Sequence, residues 1–196
     1  MRFRIVVIGA SKGGLLALER VLGGLPVGFP VPVAIVLHRS KRPDNALVPL
    51  LTAHCVLPVA EAVDKAPLLP ATVLVAPCDY HLLVDGDHVA LCTEAPFRFA
   101  RPSIDLLFES AANTYGPGAL GIVLTGSGDD GARGSARIRA LGGVVLVQDP
   151  ATAEDGAMPR AALKAARDGQ VLDLSRMAGA LVRLCAVDEV ELGDAT

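Results

Sequence analysis

Apolar and polar positions follow two rhythms along this chain. Phe3 to Ile8 is a short β-branched run, and a Gly-rich stretch from Gly9 to Gly14 follows it. Leu15, Leu18 and Leu22 then repeat at i, i+3 and i+7, the spacing of a helix with one buried face. Gly23, Gly24 and Pro26 stop that helix. Val33 to Leu37 reads as a second buried strand that closes at His38. A strand, a helix and a strand within about 35 residues predict a βαβ unit, and therefore a parallel sheet.

Between Leu50 and Leu91 the rhythm changes. Short β segments are expected around Val56 to Val59, Val73 to Ala76, His81 to Val84 and His88 to Leu91, and Asp85-Gly86 marks a hairpin that Asp87 lengthens. Local antiparallel pairing is expected there. Arg101-Pro102-Ser103 opens a helix in which Ile104, Leu107, Phe108 and Ala111 share a face. Leu120 to Leu124 is a further buried strand, followed by the loop from Thr125 to Gly131 and a helix to about Leu141. Val144 to Val147 is a strand, and Pro159 suits the first turn of the next helix. Leu174, Met177, Ala178, Leu181, Leu184 and Cys185 give the last helix its apolar stripe. No repeat, low-complexity tract or linker divides the 196 residues, so one domain over 1–196 is expected.

Composition sharpens this picture. Hydrophobic residues make up 52% of the chain and aromatics only 4%, so the core is built from Val, Leu, Ala and Ile in packed layers. The net charge of −3 and the absence of a basic block argue against a nucleic-acid partner. No apolar run reaches the roughly 20 residues of a membrane-spanning helix. Met1 to Ile8 superficially resembles a signal peptide, but its apolar stretch is short and runs into the Gly-rich turn, so it reads as a first strand. Cys55, Cys78, Cys92 and Cys185 form no C-x-x-C pair, as expected of thiols in a reducing cytoplasm. With His38, His54, His81 and His88 scattered, no metal site is expected.

Open parallel sheets bind ligands at the carboxyl ends of their strands. Ser11 follows the first strand, His38 ends the second, and Asp130 follows the strand at Leu120 to Leu124. A hydroxyl, an imidazole and a carboxylate on one rim are the parts of a nucleophilic triad. Gly9-Ala10-Ser11-Lys12-Gly13 fits the G-x-S-x-G elbow, whose small residues lift a serine on a tight turn. An ordinary turn with Ser11 capping the helix would explain the pentapeptide equally well. His38 taken alone suits a surface group, and Asp129 competes with Asp130. Two other readings fail. A dinucleotide fingerprint over Gly9, Ser11 and Gly14 lacks its middle glycine, and the second strand ends in His38 instead of an acid. The α/β-hydrolase order is Ser, Asp, His on a late elbow; here the elbow is first and the order is Ser, His, Asp.

Five blocks, in order, resemble the catalytic domain of the chemotaxis protein-glutamate methylesterase family, the CheB type. They are Ile8 to Gly14, Val36-Leu37-His38, Val75-Ala76-Pro77 with His81-Leu82, Arg101-Pro102-Ser103-Ile104-Asp105, and Leu124 to Ala132. Gln148-Asp149 with Met158-Pro159 extends the series. The resemblance implies a doubly wound, mostly parallel α/β sheet flanked by helices, with a small antiparallel hairpin region. It implies Ser11 as nucleophile, His38 as base and Asp130 as its partner, the second acid being the one that directly precedes the loop glycine. Lys12, Gly13, Ser127 and Gly128 are the implied substrate or oxyanion residues. Family members hydrolyse glutamyl methyl esters on the cytoplasmic helices of methyl-accepting chemoreceptors, and many deamidate receptor glutamines. Neither reaction calls for a cofactor.

Three positions depart from the family pattern: Ser127 where Met is usual, Leu37 where Gln is usual, and Lys12 where Thr is common. Lys12 with Arg39, Ser40, Lys41 and Arg42 would make the rim basic. The family's well-known members also carry an N-terminal receiver domain. Without one, this chain is expected to stand alone, to answer to a separate receiver or kinase protein, or to be an excised domain. A hydrolase of another ester or amide, and a catalytically weak module that binds a signalling partner, remain as alternatives.

Overall fold

The computed structural model describes residues 3–39 and 46–186. In chain order the elements are β1 (Ile5–Ala10), α1 (Gly14–Gly23), β2 (Val33–Leu37), α2 (Leu47–His54), β3 (Val59–Glu61), β4 (Val73–Val75), β5 (His81–Asp85), β6 (His88–Cys92), α3 (Ile104–Tyr115), β7 (Ala119–Val123), α4 (Ala132–Ala140), β8 (Val144–Gln148), α5 (Ala157–Ala165), β9 (Gln170–Leu172) and α6 (Leu174–Cys185). Seven strands form one sheet in the order β3-β4-β2-β1-β7-β8-β9, every pair of them parallel. β5 and β6 form a separate antiparallel hairpin.

β1 is buried along its whole length, and its side chains alternate between two cores. Val6, Ile8 and Ala10 face α1 and α6, where Leu18, Leu22, Met177 and Leu181 are fully buried. Ile5 and Val7 face the other layer, with Leu107 and Phe108 of α3, Ile138 of α4 and Ala162 of α5. A parallel strand covered by helices on both faces needs such a continuous apolar run. On the second layer α3 comes close to the end of β1. A Cβ on Gly9 would collide with the side chain of Ile104, so only glycine lets the start of α3 approach there.

The structure departs from the sequence reading in the segment from Leu50 to Leu91. The expected antiparallel pairing is present in the β5–β6 hairpin and in the bridge between Pro67 and His88, whereas β3 and β4 join the main sheet in parallel register. The α2 helix was not expected: it buries only Leu47 and Leu51 and has no side-chain cap. The three-residue edge strand β9 also carries no apolar alternation, since Gln170 and Val171 are exposed. Of the basic stretch at 39–42, only Arg39 lies within the described residues.

Candidate active site

Register brings the candidate residues together. Ala10 pairs with Leu37 on one side of β1, and Gly9 pairs with Val123 on the other. The residues that follow these pairs, Ser11, His38 and the loop after Leu124, therefore emerge on one rim of the sheet. β2 and β7 leave β1 in opposite directions, making this rim the switch point where α/β sheets hold ligands. Backbone hydrogen bonds tie the three segments: His38 N–H donates to Ala10 O at 2.9 Å, and Ser11 N–H donates to Thr125 O at 3.0 Å.

His38 Nε2 lies 2.8 Å from Asp130 Oδ2. A carboxylate there accepts, so in the neutral ring the proton sits on Nε2 and Nδ1 keeps its lone pair. His38 is partly exposed, whereas Asp130 is buried. Four donors serve the Asp130 carboxylate. Besides His38, they are the Ile104 N–H to Oδ2 at 2.8 Å, the Asp105 N–H to Oδ1 at 2.9 Å and the Ser103 Oγ to Oδ1 at 3.1 Å. Burial pushes the Asp130 carboxyl up, but these hydrogen bonds and the facing imidazole outweigh it and hold the group below the usual carboxylate range. The amides belong to the first turn of α3, where a helix favours negative charge. Ser103 has a second task, since its Oγ caps α3 at Leu106 N–H.

Asp129, the competing acid, points outward and pairs with Arg98 at 2.7 Å. Ser11 is half-buried, and among the described residues no hydrogen bond joins its hydroxyl to His38. Its neighbour across the rim is Gly126, where an added Cβ would sit 2.7 Å from the Ser11 Cβ and would also strike the Met158 sulfur. Gly126 is held in place by its N–H to Asp155 O and by Met158 N–H to its own carbonyl, both at 2.9 Å. Thr125 is locked from below, its N–H donating to Gln148 Oε1 at 2.9 Å and its hydroxyl to Lys12 O at 2.9 Å.

These bonds commit the N–H groups of Ser11, Thr125 and Gly126 to the scaffold. The expected oxyanion residues lie on either side of them. Gly13 has left-handed backbone at φ 75° and heads α1, with the Glu154 side chain packed over it. Lys12 is exposed on the same turn, and Ser127 and Gly128 are exposed on the facing loop. Among the described residues, no group of three or more His, Cys, Asp or Glu is placed to hold a metal ion.

Several residues around the site carried no role in the sequence reading. Ser103, Ile104 and Asp105 were legible as a helix start and as part of a family block, but without a role at the site. Asp105 is fully buried, and its Oδ1 accepts the N–H of Gly131 at 2.9 Å and of Gly134 at 2.8 Å. Burial drives its carboxyl above the usual range, despite those amides and with Asp130 close by adding to the rise. His81 is also fully buried; its Nδ1 accepts the Ser103 N–H at 3.2 Å.

A shallow cleft of about 190 Å³ opens beside His38, lined also by Arg39, Phe99, Ala100, Arg101 and Pro102. Its lip is a two-residue turn: Phe97 and Ala100 exchange two backbone hydrogen bonds of 3.0 Å. Arg98 at φ 48° and Phe99 at φ 71° both occupy the left-handed region, which costs side-chain-bearing residues about 1 kcal/mol or more each.

The sequence model of the CheB methylesterase family matches residues 6–181. A Leptospira interrogans protein, provisionally named a protein-glutamate methylesterase/protein-glutamine glutaminase, is 39% identical over 185 residues, which cover 94% of this chain and 96% of that one. Protein-glutamate methylesterase/protein-glutamine glutaminase 5 of Myxococcus xanthus is 41% identical over 184 residues; the match covers 92% of this chain but 52% of that protein. The crystal structure of the Thermotoga maritima CheB methylesterase catalytic domain superposes with a TM-score of 0.88 at 30% identity, over 94% of this chain and 100% of that one.

Proposed function

The chain belongs to the CheB methylesterase family, and from that premise we propose that it hydrolyses glutamyl methyl esters on chemoreceptor helices in the cytoplasm, with Ser11, His38 and Asp130 as the catalytic triad. The observation that carries this reading is the 2.8 Å bond between His38 Nε2 and Asp130, formed beside the Ser11 turn at the switch point of the sheet. Asp130 fixes the imidazole so that Nδ1 is the free base. Nδ1 takes the Ser11 hydroxyl proton as Oγ attacks the ester carbonyl. The resulting oxyanion is met by backbone N–H groups of Lys12 and Gly13 on one side and of Ser127 and Gly128 on the other.

Collapse of the tetrahedral intermediate breaks the bond to the methoxy oxygen, which takes the proton from His38 and leaves as methanol. The glutamyl group stays on Ser11 as an acyl-enzyme. Water, deprotonated by His38, then attacks the acyl carbon and releases glutamate, and the proton returns to Ser11. A glutamine side chain passes through the same acyl-enzyme with ammonia as the leaving group, so one triad serves deamidation as well. The test is methanol release from methylated chemoreceptor by the purified protein beside Ser11→Ala. The wild type is expected to release methanol and the variant none above background. A folded wild type that matches the variant across several receptors would overturn the reading.

A further inference from the structure

Phe99 is the most exposed large apolar side chain among the described residues, at 101% of its reference area, and it stands on the lip of the cleft that contains His38. A two-residue hairpin turn with both central residues at positive φ is ordinarily met by Asn-Gly. This turn carries Arg-Phe, and the surroundings hold it in that conformation. The Arg98 guanidinium bonds Asp129 on the loop that bears Asp130. Phe97 lies beneath the Arg133 guanidinium, 4.5 Å from its ring centre. Arg101 is clamped to Asp79 at 3.0 Å and to the carbonyls of Thr93 and Glu94 at 2.8 and 2.9 Å. Arg39, on the opposite wall, pairs with Glu61 at 2.9 Å. The charged groups of the cleft are thus satisfied by the protein itself, and the Phe99 ring is left facing solvent.

We propose that Phe99 is a specificity-determining residue, packing against an apolar side chain one helical turn from the esterified glutamate of the receptor segment. This rests on the methylesterase reading above. Only three bonds separate the ester carbon of a glutamyl methyl ester from its Cα. A substrate that reaches Ser11 and His38 therefore brings its own backbone to the rim, and in a helix its neighbours at i±3 and i±4 lie on the same face. An apolar neighbour there meets Phe99. Covering one exposed aromatic ring strengthens binding by about tenfold or more.

The experiment compares kcat and KM for methanol release from methylated receptor and from a small soluble ester, N-acetylglutamate α-amide γ-methyl ester. The proteins are wild type, Phe99→Ala, Phe99→Gly, Phe99→Trp and, as a control, Val27→Ala. Val27 is exposed between α1 and β2, at the far end of the sheet. Phe99→Ala and Phe99→Gly are expected to raise the receptor KM about tenfold with little change in kcat, so that the preference for receptor over small ester falls by that factor. Phe99→Trp should restore it. Phe99→Gly should also melt at a higher temperature than Phe99→Ala, because glycine accepts the positive φ; loss of preference in this more stable variant separates docking from structural damage. An unchanged preference in Phe99→Ala overturns the inference and leaves the methylesterase reading intact. A wild type that hydrolyses the small ester but no receptor overturns both.

Discussion

Asp105 donates its backbone N–H to Asp130 Oδ1 at 2.9 Å, while its own carboxylate turns away to the amides of Gly131 and Gly134. Two buried acids in contact are thereby driven in opposite directions, Asp130 downward and Asp105 upward. The difference lies in the donors. Asp130 is saturated by four, whereas the Asp105 Oδ2 has no partner among the described residues.

Asp105→Asn should keep the two amide bonds and remove a costly buried charge. A folded pKa above the unfolded one means that Asp105 stabilises fully only below the ordinary carboxylate value near pH ~4 and loses that contribution as pH rises through the raised value. At pH 7 the variant is therefore expected to be as stable as wild type or more so, and the wild type should regain ground on acidification. Urea melts at neutral pH and near pH 4.5 test this; parallel changes in both proteins would refute it.

Asp130 has the opposite sign. Its folded pKa is below the unfolded value, so its contribution is complete above about pH 4 and disappears as pH falls through the lowered value. Asp130→Asn should flatten the acid limb of the stability curve. It should also lower kcat by about a thousandfold or more, because an amide can present the wrong tautomer to His38. Acid titration followed by circular dichroism reads the first effect, and methanol release reads the second.

Ser103→Ala removes the α3 cap and one of the donors to Asp130. The expected loss is about 1–2 kcal/mol of stability, with a fall in kcat much smaller than that of Asp130→Asn, since three donors remain. Thermal melts beside steady-state kinetics would show whether the two losses separate in this way.

Gly126→Ala places a methyl group against both Ser11 and the Met158 sulfur. Relief requires the Thr125–Gly126 segment to move away from Ser11. A loss of about 1–3 kcal/mol is expected, with activity reduced on the order of tenfold or more if Ser11 is the nucleophile as proposed, because displacing a nucleophile weakens catalysis steeply. A variant that melts and turns over like wild type would show that this contact yields freely.

Strands with uninterrupted apolar runs were legible from the chain alone: β1, β2 and β7 are buried at every position. Elements that bury little were not. The α2 segment contains Pro49 and sends only Leu47 and Leu51 inward, so its periodicity is faint. At the site, side chains advertise themselves and backbone donors do not. His38 at a strand end and the acids of the loop after β7 were visible as candidates that the ordered family blocks sorted, whereas the amides of Ile104 and Asp105 acquire their role only when α3 meets a loop 25 or 26 positions away. The Phe99 lip was hidden for a related reason. Arg-Phe is not turn chemistry, and the conformation is imposed by Asp129 and Arg133 from across the fold.

The bond between His38 and Asp130 spans 92 positions of chain. During synthesis at ordinary rates, His38 leaves the ribosome on the order of ten seconds before its partner. β1 and β2 can pair early, but the imidazole has no orienting acid until β7 has inserted beside β1 and α4 has begun. On the proposed triad, a nascent or prematurely terminated chain would therefore expose the serine turn without an oriented base, and reactivity would wait on the long-range closure of the sheet.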